Sequence, residues 1–597
     1  MSDYRPPLSD MKFVLEHIVD LDTIAEFPGY EHVDRELSFG ALDEAGRFMA
    51  EVIAPTNRIG DEVGATIDAD GAVTLAPEIA RAYEQFVAAG WGAVKSTVEY
   101  GGHGFPTAVG IPVMEMLTSA NMAFSLCPML TASAILALDQ HGSDELKAVY
   151  LEKLISGEWT GTMVLTESEA GSDVGAVRAK AVPQGDGTWR IFGNKIFITW
   201  GDHDVADNII HLVLARVPDA PPGTKGISLF IVPKYLVKPD GSPGERNDVA
   251  AVSLEHKLGI HSSPTAVMAF GEDDGAVGYL VGEVNQGMRY MFTMMNDARL
   301  HVGLEGLGIA ERAYQQAAEY AKERRQGRAV GTKPPESSPI IEHPDVRRML
   351  MTMRANIEAM RALMYDNAAA LDWAENGPDD ESRQHGAARA ALLTPISKAW
   401  GTDLGVEMAS LAVQVHGGMG FVEETGAAQH YRDARIAPIY EGTNGIQAID
   451  LVMRKLPMAG GAVVAGFLDE MAALDPAFEG HDDLASIRIN LDDGVALLRE
   501  ATEWLAVAED PNDRLAGATP YLRMFGTVAG GYYLAKSALV ATGLLNNGST
   551  GDRFLEAKVV TARFYAEQIL PQAAGLLPAV TRGADSLFAI DDELMGV

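Results

Sequence analysis

Residues 436–447 contain the side chain of this sequence that is best suited to acid–base chemistry. Glu441 follows an aromatic residue, Tyr440, and precedes a turn that contains Gly442 and Gly445. An aromatic neighbour and a tight turn leave a carboxylate poorly solvated, which raises its pKa and makes it a better base near neutral pH. A single Glu-Gly pair is also typical of a surface acid at the end of an element, and this alternative stays open.

Four further motifs precede this segment along the chain. The nearest, residues 414–421, has clustered glycines that let a backbone approach a ligand closely. The others lie at residues 166–173, 257–260 and 323–326. Taken in this order, the five segments resemble the acyl-CoA dehydrogenase family, flavoproteins that desaturate acyl-CoA thioesters. The resemblance covers about residues 40–455.

Removing a proton α to a thioester requires a tuned base, donors for the thioester oxygen and a hydride acceptor. No side chain accepts a hydride, so a flavin must supply that function. The resemblance implies that Glu441 is the base, and that its backbone N–H and a flavin ribityl hydroxyl hold the thioester oxygen. Some family members carry the base just before an arginine, at the position of Ala298 here, and alanine cannot act as a base.

The resemblance also implies sites for FAD and for the acyl-CoA substrate. The cofactor-binding residues that it indicates are Met163, Leu165, Thr166, Gly171, Ser172, Phe197, Thr199 and Thr443. Those that reach the FAD of a neighbouring subunit are Arg324, Gln326, Gln414, Gly417 and Gly418, which implies a homodimer or a dimer of dimers. The substrate-binding residues are Ser172, Arg299, Tyr440 and Gly442.

Two positions depart from the family pattern. Phe197 stands where the family often has Trp, and Gly327 stands where it commonly has Phe. Two alternatives therefore stay open: Phe197 as a residue of the β core, and Arg324 on a solvated helix face. We interpret His416 as structural rather than catalytic.

The periodicity of apolar residues predicts a mainly α fold with a central β domain. We expect an N-terminal helical domain (1–160), a middle β-barrel domain (161–282), a four-helix bundle (283–456) and an extra C-terminal helical domain (457–597). A stripe of apolar residues at helical spacing in residues 346–364, rich in methionine, predicts bundle core rather than a cofactor site. Residues 237–249, rich in turn-forming pairs, predict a surface insertion.

Composition narrows the function classes. A formal net charge of −36 disfavours nucleic acid and anionic membrane as partners. One cysteine, Cys127, excludes a disulfide framework and indicates a reducing compartment, which we take as the cytoplasm. We expect no metal site, no secretory signal and no apolar run long enough to span a bilayer.

Several phrases, including residues 256–264 and 291–296, look most like the 3-methylmercaptopropionyl-CoA dehydrogenase branch of the family. That branch implies a short thioether acyl-CoA, or another short or medium acyl-CoA, as substrate and an electron-transfer flavoprotein as acceptor. Two alternatives stay open: an acyl-CoA oxidase that uses oxygen, and a flavin-bearing binding protein without dehydrogenase activity. One family branch binds DNA through its extra C-terminal region, but residues 461–597 carry 20 acids and 9 bases here, which counts against that role.

Overall fold

A computed structural model describes residues 4–333 and 335–596. Within these residues, the α-helices are α1 Leu8–His17, α2 Leu21–Ala25, α3 Arg35–Phe48, α4 Thr56–Val63, α5 Pro77–Ala88, α6 Thr107–Ala120, α7 Met122–His141, α8 Asp144–Ser156, α9 Gly287–Glu323, α10 Pro344–Asn376, α11 Asp380–His416, α12 Ala427–Ala434, α13 Asn444–Asp450, α14 Ala462–Ala472, α15 Ala485–Val507, α16 Pro511–Asn546, α17 Arg553–Gln568 and α18 Gln572–Thr581.

The strands are β1 Thr66–Ile67, β2 Val73–Thr74, β3 Trp159–Val164, β4 Lys180–Pro183, β5 Trp189–Thr199, β6 Asn208–Ala215, β7 Ser228–Pro233, β8 Tyr235–Val237, β9 Pro243–Arg246, β10 Val249–Leu254, β11 Thr265–Phe270 and β12 Ala276–Leu280. The mainly helical class with a central β region is therefore confirmed.

The chain divides into two compact units. One comprises Glu44–Phe105 and Met116–His301, and the other comprises Met1–Asp43, Pro106–Glu115 and Val302–Val597. We call them the β unit and the helical unit. Their limits follow spatial contacts rather than the four sequence segments, and the four-domain division stays a prediction.

The β unit is built on an eight-stranded sheet in the order β10-β11-β5-β12-β7-β6-β3, with β4 also paired to β5. Strands β3, β6 and β7 are buried along their whole length, as expected for strands with apolar residues on both faces. Strands β3 and β6 run parallel, and the other pairs in the sheet are antiparallel.

Most of residues 237–249 form the predicted surface segment, since residues 238–246 are exposed or half-buried. Strands β8 and β9 pair there as a short hairpin, but Asn247 is buried at its end. The Asn247 amide donates hydrogen bonds of 2.9 Å to the carbonyl oxygens of Pro233 and Val277. Because this side chain satisfies backbone groups of neighbouring strands, the end of the segment belongs to the β core.

The helical unit centres on the long helices α9, α10 and α11. The predicted core stripe of α10 is confirmed for Leu350, Met353, Ile357, Met360 and Met364, which are all buried, whereas Val346 at its start is half-buried. Side-chain caps mark the beginnings of helices where the sequence has suitable residues: Asp379 accepts from Ser382 N at α11, and Asp552 accepts from Phe554 N at α17.

In the part of the chain that the structure describes, two helices are long and apolar enough to cross a membrane by length and composition alone. The number of such spans rises to three if one sharply bent pair of helices is counted as a single span. This differs from the sequence expectation of no such run. The two are α7 and α16, whose most apolar windows are 83% and 67% buried inside the fold. Their apolar surface therefore packs largely against protein.

Candidate active site

Glu441 lies in a tight loop of the helical unit between α12 and α13. Its backbone is left-handed, with φ of 54°, and Gly442 follows with φ of 83°. A non-glycine residue pays a steric cost of about 1–2 kcal/mol in this region, and such strain concentrates at functional sites. The Asn444 N–H donates a hydrogen bond of 3.0 Å to the Pro438 carbonyl oxygen, and this bond closes the loop around Glu441.

The residues after Glu441 begin α13. Thr443 caps this helix, since its hydroxyl accepts a hydrogen bond from Ile446 N at 3.2 Å. The buried Gln447 donates from Nε2 to the Gly442 carbonyl oxygen at 3.2 Å. Both bonds limit the movement of the segment that follows Glu441.

Asn444, which the sequence interpretation missed, fastens the same loop to α11. Its Oδ1 accepts a hydrogen bond of 2.9 Å from the buried Lys398, and its Nδ2 donates to Asp403 at 2.7 Å and to the Ala399 carbonyl oxygen at 3.1 Å. A buried lysine is typically paired, and here its partner is the amide that fixes the loop of Glu441.

Glu305 is a second acid close to Glu441 that was not predicted. It is 2% exposed, and its Oε2 accepts a hydrogen bond from the Tyr440 hydroxyl. Burial, with a smaller contribution from the charge of Glu441, raises the pKa of Glu305 to about 8, although the Tyr440 bond and the charge of Lys398 oppose the shift. Its sequence signal was an acid inside the apolar run of residues 302–309.

In the β unit, Phe197 is on the surface because of a bulge in β5. The register shifts between Ala266 and Met268 of β11, so β5 contains one extra residue there. Phe197 takes the left-handed conformation, with φ of 59°, and is 58% exposed. The structure therefore does not support the alternative in which Phe197 packs in the β core. Bulges commonly re-aim a side chain beside a functional site.

The predicted cofactor residues at 163–172 follow β3 into a loop. Met163 is buried, Leu165 and Thr166 are half-buried, and Gly171 and Ser172 are exposed. Thr199, at the end of β5, is also half-buried.

Two charged residues that were missed in the sequence brace this loop: Lys195, which is buried, and Glu167, which is half-buried. Lys195 donates 2.9 Å bonds to the Leu165 carbonyl oxygen and to Glu167. Glu167 also accepts from the backbone N–H groups of Arg178 and Ala179. Burial lowers the pKa of Lys195 to about 8, and the Glu167 carboxylate opposes the shift.

These features fit the FAD that the resemblance implies. An exposed aromatic ring on a bulge suits the face of a planar ring system, and nearby hydroxyls suit its polar edge and phosphates. At Gly171 an added Cβ would meet no atom within 4 Å, so the loop surface there is open. When bound, FAD supplies the hydride acceptor that no side chain provides.

Arg299 and Ala298 lie on α9 within the β unit. Ala298 is buried. Arg299 is buried, and its Nη1 donates a hydrogen bond of 3.3 Å to Asn296 Oδ1. Its guanidinium carbon lies 5.9 Å from the centroid of the Phe292 ring. Its predicted substrate role stays a prediction.

The residues predicted to reach a neighbouring FAD are all exposed in the helical unit. They are Arg324, Gln326, Gln414, Gly417 and Gly418. Next to Gly418, Met419 and Phe421 expose 44% and 88% of their side chains. His416 is buried and stacks on Tyr320 with ring centroids 4.4 Å apart, which suits the structural role expected for it.

The described residues contain no group of three or more His, Cys, Asp or Glu side chains that could hold a metal ion. Cys127 is buried, and burial raises the pKa of its thiol.

Family models match nearly the whole chain. They are the acyl-CoA dehydrogenase N-terminal domain at residues 41–158, the middle domain at 162–272, the C-terminal domain at 285–456, and an "Acetyl-CoA dehydrogenase C-terminal like" domain at 464–591.

Similar proteins cover the chain from end to end. A 3-methylmercaptopropionyl-CoA dehydrogenase of Ruegeria pomeroyi is 47% identical over 98% of this chain and 99% of its own length. A butyryl-CoA dehydrogenase of Syntrophomonas wolfei is 35% identical over 98% of each chain. The crystal structure of Caenorhabditis elegans ACDH-11 in complex with C11-CoA shares the fold, with a TM-score of 0.74 and 21% identity over 96% of this chain and 93% of that one.

Proposed function

The chain belongs to the acyl-CoA dehydrogenase family of FAD-dependent enzymes, and we propose that Glu441 is the base that removes the α-proton of its acyl-CoA substrate. The observation that carries this proposal is the strained, left-handed backbone of Glu441, fastened on its C-terminal side by Thr443, Asn444 and Gln447. A surface acid at a helix end would require neither the strain nor the fastening.

In this mechanism the Glu441 carboxylate takes the proton from the α-carbon. The Glu441 backbone N–H donates to the thioester oxygen, where negative charge develops as the proton leaves. Tyr440 flanks the acyl chain, and Gly442, Ser172 and Arg299 contribute further substrate contacts. The cofactor residues of the β unit and Thr443 would hold FAD, which would supply the acceptor for the β-hydride.

Glu441→Gln tests the base directly, because glutamine keeps the size of the side chain but cannot take the proton. Loss of a general base typically slows a reaction about 10²- to 10⁴-fold. Anaerobic mixing with acyl-CoA, followed by flavin bleaching, should show that loss while FAD stays bound. The control is Glu567→Gln, an exposed acid on α17. Bleaching at the wild-type rate in Glu441→Gln would rule out Glu441 as the base.

We propose 3-(methylthio)propanoyl-CoA, or another short or medium acyl-CoA, as the substrate. The support is the full-length identity of 47% to the relative of that name, together with 35% to a butyryl-CoA dehydrogenase. A panel of acyl-CoA thioesters with a dye acceptor would rank them. A preference for long or branched chains would refute the assignment.

We propose an electron-transfer flavoprotein as the acceptor and the cytoplasm as the compartment. The acceptor follows from the family, and the compartment is supported by a single, buried cysteine. The competing function is an acyl-CoA oxidase. Turnover that stops without an added electron carrier in air supports the dehydrogenase, whereas sustained peroxide production supports the oxidase.

We also propose a homodimer or a dimer of dimers. The support is the exposed group of residues around Gly417 and Gly418, with the exposed Phe421 beside it. Phe421→Glu should dissociate the assembly in light scattering and weaken FAD binding, because assembly and cofactor binding are linked. The matched control is Val507→Glu, which also replaces an exposed apolar residue with an acid. Val507 lies on α15 and is 74% exposed. An assembly unchanged by Phe421→Glu would contradict this interface.

A further inference from the structure

The carboxyl group of Glu305 has one oxygen that the fold leaves unpaired. Oε2 accepts the hydrogen bond from Tyr440, whereas Oε1 is buried and has no partner among residues 4–333 and 335–596. A buried polar atom without a partner costs folding free energy, so such an atom in a native protein calls for an explanation. A bound ligand that reaches Oε1 would provide one.

Glu305 is held on a rigid part of the helical unit. Helices α9 and α11 touch along their backbones on either side of it, since a Cβ at Gly303 would lie 2.6 Å from the Ser397 carbonyl oxygen, and one at Gly306 would lie 2.2 Å from that of Gly401. Only glycine permits this approach. The side chain of Glu305 is therefore presented from a helix that cannot shift easily, which favours recognition over adaptability.

The position of the proton follows from the contacts. Tyr440 donates to Oε2, so we assign the proton of the neutral acid to the other oxygen, Oε1. Burial, aided by the charge of Glu441 and opposed by Tyr440 and Lys398, raises the pKa of Glu305 to about 8. Near neutral pH the group is thus mostly a carboxylic acid, whose O–H is an unused hydrogen-bond donor.

We propose that Glu305 is a specificity-determining residue that donates a hydrogen bond from Oε1 to a heteroatom within the acyl chain of the substrate. This rests on the proposed function, in which Tyr440 flanks the acyl chain beside the base. The chemical class is acyl-CoA in which an ether or thioether atom replaces a chain methylene. An all-carbon chain has no acceptor and leaves the donor unpaired, which is the basis for discrimination.

Three thioesters of nearly equal shape test the proposal: 3-methoxypropanoyl-CoA, 3-(methylthio)propanoyl-CoA and pentanoyl-CoA. Glu305→Met keeps the length of the side chain and removes the donor, whereas Glu305→Gln keeps a donor. One hydrogen bond corresponds to about a 2- to 10-fold change. In Glu305→Met, the ratio of kcat/KM for 3-methoxypropanoyl-CoA to kcat/KM for pentanoyl-CoA should fall by that factor.

The thioether should lie between them, because sulfur is a weak acceptor. Glu305→Gln should keep most of the wild-type ratios. Equal losses for all three thioesters in Glu305→Met would overturn the proposal and leave Glu305 as a residue that only positions Tyr440.

A binding measurement separates this proposal from the assignment of the base. In Glu441→Gln, calorimetric Kd values for 3-methoxypropanoyl-CoA and pentanoyl-CoA can be compared at about pH 7 and pH 9, on either side of the pKa of Glu305. The preference for the ether should weaken at the higher pH and should stay constant when Glu305→Gln is added. A preference that is the same at both pH values overturns the proposal. If Glu441→Gln still catalysed the reaction, the assignment of Glu441 as the base would fail. The apoenzyme, which has no FAD and cannot react, would then give the Kd values that test Glu305.

Discussion

Lys398 donates a 2.9 Å hydrogen bond to Asn444, and this bond joins α11 to the loop that carries Glu441. The same amide donates to Asp403, so one side chain satisfies both a cation and an anion of α11. The loop is therefore anchored by a polar contact inside the protein rather than by surface packing. Bonds to charged groups are among the stronger ones in proteins.

Asn444→Ala should loosen this anchor. Asn444 is half-buried, but its replacement removes a hydrogen bond from the buried Lys398, which typically costs about 1–3 kcal/mol, so the thermal midpoint should fall. The rate of flavin reduction should fall as well, because Glu441 loses its fixed position. Asn546→Ala, at an exposed residue ending α16, is the control. Wild-type rates in Asn444→Ala would show that the anchor does not position the base.

Phe197→Ala tests the aromatic ring on the bulge of β5. Because Phe197 is 58% exposed, its removal should leave the folding of the β unit intact. A stacked aromatic contributes about 0.5–1.5 kcal/mol, so FAD should bind about 2- to 10-fold more weakly to the apoenzyme in a fluorescence titration. Phe197→Trp should restore or strengthen binding. Val252→Ala, at an apolar residue of β10 that is 57% exposed, should have no effect. A Phe197→Ala variant with wild-type FAD affinity would contradict stacking.

Phe197 and Glu305 also show where sequence interpretation stops. Residues 189–199 lie in the predicted β domain, but an extra residue in one strand changes which side chains face outwards. Only the pairing of β5 with β11 reveals that extra residue. The acid at 305 was visible, yet its burial depends on the glycine contacts between α9 and α11, which are remote in sequence. Glu441 is a candidate base from local sequence alone, because its motif and the glycines of its turn lie in the same few residues.

Glu305 should make stability depend on pH in a defined direction. Its pKa rises from 4.5 in the unfolded chain to about 8 in the fold, so the folded state binds the extra proton between these values. The contribution of Glu305 to the free energy of unfolding is therefore fully present below pH 4.5. It is lost as the pH rises towards 8, by at most about 1.36 kcal/mol per pH unit. The thermal midpoint of Glu305→Gln minus that of wild type should therefore increase from about pH 5.5 to pH 8. A difference that stays constant with pH would show that Glu305 does not titrate in this window.

Arg361 is the centre of a buried ion network in the helical unit. It is 1% exposed and bonds to Asp10 at 2.5 Å, Glu115 at 2.6 Å and Glu311 at 2.7 Å. Lys558 of α17 extends the network through Asp10 and Glu358. The cluster thus joins α1 at the N-terminus to α17 in the C-terminal segment, through α6, α9 and α10.

Arg361→Met should destabilise the helical unit severely. Methionine fills much of the volume, but it leaves Glu115 and its acidic neighbours without their shared cation, and breaking a buried pair in this way costs about 3–5 kcal/mol. The matched control is Arg348→Met on the same helix, where the exposed pair with Asp345 should contribute only about 0.3–0.5 kcal/mol. Thermal unfolding of both variants near neutral pH measures the difference. Because the network joins α17 to α1 and α10, limited proteolysis of Arg361→Met should also cut first in the C-terminal segment. Equal thermal midpoints for the two variants would mean that the acids around Arg361 are stable in their neutral, protonated form and do not need its positive charge.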